Sequence, residues 1–297
     1  MRPDWNREGR DWPNRAASSF IEAGGLRWHV QRIGQGPVLL LLHGTAAATH
    51  SWRALMPLLT EHFTVIALDL PGHGFTTAPK EGGYTLPAMA QSVAALLGEM
   101  GDTPAMTIGH SAGAAIAVRM ALDGALTGPI ISINGALLPF PGFAAQLFPQ
   151  MAKLLFLNPL MPRLFALTGQ SEGFVRRFLE RSTGSRVDGA GALYYQRLFA
   201  CSGHCAAALA MMANWDLDGL KRGLPTLKNA VVLFAGEEDA AVPPSVADQV
   251  AALIPHGSIR KFARLGHLAH EEAPDMLAAA IMDIARDFAI LRLSSGH

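Results

Sequence analysis

Cysteine is scarce: two residues, Cys201 and Cys205, in a chain of 297. Two cysteines cannot build a disulfide framework, and a reducing compartment fits that usage. A surplus of charge is missing as well. Lys plus Arg and Asp plus Glu each total 24, for a formal net charge of +0. A global basic footprint, and with it a nucleic-acid partner, is therefore not expected. Long apolar runs are absent: the strongest, PVLLLLHG at 37–44, is strand length and too short to cross a membrane. The N-terminal MRPDWNREGRDWPNR lacks the apolar core of a signal peptide. The expectation is a soluble, cytoplasmic protein with no transmembrane segment. No G-x-x-x-x-G-K-[ST] occurs, so nothing calls for ATP.

Apolar residues, by contrast, are plentiful. They make up 50% of the chain against 16% charged, enough for a large core. Strand-like and helix-like segments alternate through the first half: LRWHVQRI (26–33), VLLLLH (38–43), a helical spacing over 51–62, FTVIALD (63–69), a helix over 85–100, AMTIGH (105–110), a helix from 111, and PIISIN (129–134). The alternation stops at 135–224, which reads as helices broken by Pro139, Pro141, Pro149, Pro159 and Pro162. It resumes with NAVVLFAG (229–236), a helix near 244–253, SIRKFA (258–263) and a helix near 274–290. This order predicts an α/β fold with a mostly parallel, doubly wound sheet. The core is expected at 1–134 and 225–297, with 135–224 inserted as a helical cap.

One corner stands out. In TIGHSAGAA a strand ends in Gly109-His110-Ser111-Ala112-Gly113 and a helix follows. Strand–Gly-x-Ser-x-Gly–helix is the geometry of a nucleophile elbow, where glycines allow strand and helix to approach closely. A serine hydroxyl needs a base and an orienting acid. The acid is expected at Asp239, after the strand VVLFAG and within a G-x-x-D-x-x-x-P loop. Glu237 and Glu238 read as solvated loop charge. The alternative acid position, after PIISIN, holds Asn134, which carries no charge. The base is expected at His267, with His270 as the alternative. Oxyanion donors are expected from the amides of Ala112 and of Thr45, in the turn His43-Gly44-Thr45-Ala46. His43 and Asp69 read as loop braces. His110, Ala46 and Trp215 are candidate substrate contacts. This chemistry requires no cofactor and no metal. Cys201-x-x-His204-Cys205 lacks the second ligand cluster of structural zinc and reads as an ordinary helix or turn.

With these motifs, DLPGHGFT and GHLAHEEAPD, the chain resembles the α/β-hydrolase family over residues 18–290. The elbow carries a serine and not a carboxylate, which disfavours dehalogenase chemistry. The stretches RDWPNRAASSFIEAGGLRWHVQRIGQGPVLLLLHGTAAATHSWR and MMANWDL further resemble magnesium-chelatase accessory proteins of bacteriochlorophyll-making bacteria. That resemblance implies a role in bacteriochlorophyll synthesis, a tetrapyrrole-like or small apolar substrate, and magnesium-chelatase subunits as partners. Two classes of function follow: a serine hydrolase of an apolar ester-like substrate, or a non-catalytic tetrapyrrole-binding module. The insertion supplies apolar candidates for a pocket roof: Phe140, Phe143, Phe148, Met151, Phe156, Met161, Phe165, Met211 and Met212. Residues 136–215 carry the basic Lys153, Arg163, Arg176, Arg177, Arg181, Arg186 and Arg197 against Glu172, Glu180 and Asp188, a net of +4. They read as a solvated face or as a site for an acidic ligand.

Overall fold

The computed structural model describes residues 2–80, 82–139, 158 and 160–291. Its strands are β1 (Ser18–Ala23), β2 (Leu26–Ile33), β3 (Val38–Leu42), β4 (Thr64–Leu68), β5 (Met106–His110), β6 (Ile130–Ile133), β7 (Val231–Gly236) and β8 (Gly257–Phe262). They form one eight-stranded sheet in the order β1-β2-β4-β3-β5-β6-β7-β8. β2 runs antiparallel to β1 and β4; the remaining pairs are parallel. The fold is α/β, a mostly parallel doubly wound sheet.

The period of two along each strand builds two cores. Leu40, Leu42, Ile66 and Leu68 face one side, where they pack with α2 (Leu86–Met100) and α3 (Ala112–Leu122). Leu39, Leu41, Val65 and Ala67 face the other, with a short helix at Leu55–Leu59 (α1) and a long one at the C-terminal end of the described chain. All four of Leu39 to Leu42 are fully buried. Each such leucine contributes about 1.5–3 kcal/mol of burial before entropy is counted.

Register places the chemistry. Leu42 stands beside Gly109, His110 beside Ile133, Ile133 beside Phe234, and Gly236 beside Phe262. The carboxyl ends of β3, β5, β6, β7 and β8 therefore line one edge, where open α/β sheets bind ligands.

Among the described residues, 135–224 hold helices and no strand: α4 (Met161–Thr168), α5 (Glu172–Thr183), α6 (Gly189–Phe199), α7 (Ser202–Ala213) and α8 (Leu217–Gly223). After β7 come α9 (Ser245–Leu253), α10 (Ala269–Glu272) and α11 (Pro274–Asp287). Phe140, Pro141, Phe143, Phe148, Pro149, Met151, Lys153, Phe156 and Pro159 lie outside the described residues.

Three elements differ from the sequence reading. The helix expected over 51–62 is a 3-10 turn at Thr49–Trp52 followed by the five-residue α1. Trp52, Leu55, Met56 and Leu59 are all buried, so the periodicity tracked burial, while Pro57 denies the helix a donor. β1, at the sheet edge and half-buried, has no apolar alternation to reveal it. α10 is a single turn. No helix among the described residues is long and apolar enough to cross a membrane.

Candidate active site

Ser111 stands alone between the end of β5 and the first residue of α3, at φ 51 and ψ −116. A non-glycine residue enters that region only when its surroundings over-determine it. Here the Ser111 amide donates to the Ile133 carbonyl at 3.0 Å, and the Ser111 carbonyl accepts from Ala114 and Ala136, each at 3.1 Å. The flanking glycines are sterically required. A Cβ on Gly109 would lie 2.4 Å from the Ala114 backbone, and one on Gly113 would lie 2.1 Å from the Leu42 carbonyl oxygen. Gly44 packs against the same corner: its Cβ position is 3.1 Å from Ser111 Cβ. The turn bearing Thr45 and Ala46 therefore adjoins Ser111. Among the described residues the Ser111 hydroxyl has no hydrogen-bond partner.

The structure brings Asp239 and His267 together. His267 Nδ1 lies 2.8 Å from Asp239 Oδ2, with both residues buried. Asp239 Oδ1 accepts from the amides of Ala241 and Val242, each at 2.8 Å, which fixes the carboxylate's plane. Glu237 and Glu238 point to solvent. His270 is elsewhere: it is fully buried, its Nε2 lies 2.6 Å from Ser51 Oγ, and its ring sits tilted against Trp52 with centroids 4.5 Å apart.

The backbone around His267 is bonded at every position. Glu272 Oε1 accepts from the Gly266 amide at 2.9 Å, the Thr183 carbonyl from the His267 amide at 2.8 Å, and Ser185 Oγ from the Leu268 amide at 2.8 Å. The His267 carbonyl accepts from Asn134 Nδ2 at 2.8 Å and His110 Nε2 at 3.0 Å. Asn134 also accepts from the Gly236 amide at 2.8 Å, so it ties β6 to both the Asp239 and His267 loops. An uncharged Asn suits that bridging place because it donates and accepts at once. Thr183, Ser185 and Glu272 were not legible in the sequence; their bonds to this loop go to backbone amides, which leave no residue pattern.

Of the proposed substrate contacts, His110 is buried, with its ring centroid 4.7 Å from that of His267 and 4.5 Å from that of His270. Burial holds both His110 and His270 well below the ordinary histidine pKa. Trp215 is half-buried against the larger core cluster, and its Nε1 is buried without a hydrogen-bond partner among the described residues. Thr45 Oγ1 approaches Met211 Sδ at 3.7 Å. His43 accepts from the Leu70 amide at Nε2 (2.9 Å), so its Nδ1 proton goes to the Gly44 carbonyl at 2.7 Å. Asp69, fully buried, accepts from the amides of Thr49 (2.7 Å) and Phe75 (2.8 Å) and pairs with His29. Burial raises the thiol pKa of Cys201 to about 11 and of Cys205 to about 12, so neither is a ready thiolate. Arg176, Arg177 and Arg181 are exposed, while Val175 and Leu179 of the same helix are buried.

Residues 37–274 match the family model described as the alpha/beta hydrolase fold. The chain is 39% identical to the magnesium-chelatase 30 kDa subunit (BchO) of Rhodobacter capsulatus over 92% of this chain and 96% of that protein. It is 25% identical to the uncharacterized hydrolase YugF of Bacillus subtilis over 87% of this chain and 93% of that one. An alpha/beta hydrolase fold protein from Burkholderia ambifaria superimposes with a TM-score of 0.75 at 22% identity, covering 90% of this chain and 97% of that one. The chain belongs to the α/β-hydrolase fold family.

Proposed function

We propose that this protein is a serine hydrolase that cleaves an apolar ester-like substrate with Ser111, His267 and Asp239. The observation that carries the reading is the buried Asp239–His267 pair at the same sheet edge as a serine held at φ 51. As Ser111 Oγ bonds to the substrate carbonyl carbon, its proton passes to His267 Nε2. Asp239 stays ionised, fixes the tautomer and stabilises the imidazolium. The amides of Ala112 and Thr45 receive the oxyanion. Collapse breaks the bond to the leaving oxygen, which takes the proton from His267. Water then attacks the acyl carbon, gives a proton to His267, and releases the acid as Ser111 recovers its own. The serine–histidine hydrogen bond forms with substrate present, since such contacts are often long or absent in free enzymes. Helices α4 to α8 form a cap over this edge in the same reading.

The similarity to a magnesium-chelatase subunit supports a place in bacteriochlorophyll synthesis and gives a second reading its footing. In that reading the fold binds or shields a tetrapyrrole for the chelatase, and the serine is idle. Hydrolysis of short and long p-nitrophenyl esters by the purified protein separates the two. The hydrolase reading expects turnover that Ser111→Ala abolishes. Saturable protoporphyrin binding with no Ser111-dependent turnover favours the carrier.

A further inference from the structure

Cys201-x-x-His204-Cys205 has no part in the chemistry above, and neither cysteine is a thiolate, yet His204 is fully buried at the site's edge. We propose that His204 is a positioning residue: it holds the turn Gly44–Ala47 so that the Thr45 and Ala46 amides face Ser111. The proposal rests on reading Ser111 as the nucleophile and this turn as its oxyanion site.

The turn needs holding. It is closed by the Ala47 amide donating to the Gly44 carbonyl at 3.2 Å, and its third residue, Ala46, sits at φ 62. That position favours glycine, and an L-residue there is strained. Two imidazoles oppose the relaxation. His43 donates to the Gly44 carbonyl, as above. His204 Nδ1 accepts from the Gly74 amide at 3.1 Å, which puts its proton on Nε2, and Nε2 lies 3.1 Å from the Ala46 carbonyl oxygen. Because a trans peptide points its C=O and N–H in opposite directions, pinning the Gly44 carbonyl toward His43 turns the Thr45 N–H the other way. Pinning the Ala46 carbonyl fixes the far end of the same turn.

The support behind His204 is firm on both sides. Gly74 belongs to the loop that Asp69 secures, and the Asp69 carboxylate occupies the space where a Gly74 Cβ would be, 2.2 Å away. His73 packs edge-on to His204 with centroids 5.3 Å apart. Two turns further along α7, Met211 meets Thr45 Oγ1. Positions i and i+7 share a helix face, so one face of α7 touches both central residues of the turn. The helical insertion thus supplies part of the oxyanion site's frame.

The test compares wild type, Ser111→Ala, His204→Phe, His204→Gln and His204→Asn by fluorophosphonate labelling and ester hydrolysis, with active sites titrated. His204→Phe keeps the bulk and removes both hydrogen bonds. Its kcat should fall by about 10- to 100-fold, less than the 10²–10³ lost with an oxyanion donor itself, while KM moves less than threefold. Affinity for a boronic-acid transition-state analogue should fall with kcat. Gln, long enough to accept from Gly74 and donate to Ala46, should keep more activity than the shorter Asn. If His204→Phe does not fold, the Gln and Asn pair decides. Wild-type kcat per titrated site in His204→Phe, or in both Gln and Asn, overturns the proposal alone. No Ser111 labelling in the wild type contradicts the hydrolase reading and takes this proposal with it.

Discussion

The Thr183 carbonyl accepts from the His267 amide at 2.8 Å and from the Ala240 amide at 3.3 Å. The last residue of α5 is thereby bonded to the loop that carries the proposed base and to the loop that carries the proposed acid. Ser185, two residues on, extends the link by accepting from Leu268 and donating to Glu272 Oε1 at 2.5 Å.

Ser185→Ala should therefore act on stability and rate together. It leaves the Leu268 amide without its acceptor in a buried place, a loss of about 1–3 kcal/mol. Calorimetry should show Tm lowered by about 2–4 °C per kcal/mol for a domain of this size. Steady-state kinetics should show a lower kcat with little change in KM, because the imidazole's backbone anchor has loosened. An unchanged Tm and kcat would dismiss the anchor.

The acid assignment has a paired test. Asp239→Asn should lower kcat by about 10³–10⁴ through loss of the charge and of the correct imidazole tautomer. Glu238→Gln, on an exposed side chain, should stay near wild type. The reverse ranking, measured on the same ester, would move the acid to Glu238.

Stability should fall on the acid side of neutrality. Burial lowers His43 to about 4 and His73 and His204 to about 3. In the unfolded chain each titrates near 6.5. Below that value the unfolded state binds protons that the folded state refuses, so stability rises with pH across the window. The contribution is complete above about 6.5 and is lost progressively as pH drops toward 4 and 3. Urea unfolding at pH 7.5, 6 and 5 should show this decline, and His204→Gln should lower the slope by about one proton. Equal stability at the three values would contradict the neutral buried imidazoles.

Much of the fold was legible because its strands are extreme. VLLLL and TVIAL are buried on both faces, as in a parallel sheet covered on both sides. The corner at Ser111 was legible because close strand–helix approach admits glycine alone at positions 109 and 113. Asp239 and His267 followed from chain order once Ser111 was fixed. What stayed hidden was whatever lies in backbone bonding. Thr183, Ser185 and Glu272 meet the His267 loop through main-chain amides, and those contacts impose no residue pattern. Cys201-x-x-His204-Cys205 read as an ordinary helix or turn, and His204 does lie on a helix; its contacts stayed hidden because its partners, Gly74 and Ala46, offer only an N–H and a C=O. β1 escaped notice because an edge strand with mixed burial needs no alternation.

The central claim is that Ser111 is a nucleophile made reactive by His267. Treating the folded wild-type protein with a fluorophosphonate and locating the adduct by peptide mass spectrometry tests it most directly. The expected result is one adduct on Ser111, absent in Ser111→Ala and slowed by several orders of magnitude in His267→Ala. Failure to label Ser111 in folded wild-type protein, or an undiminished rate in His267→Ala, would contradict it.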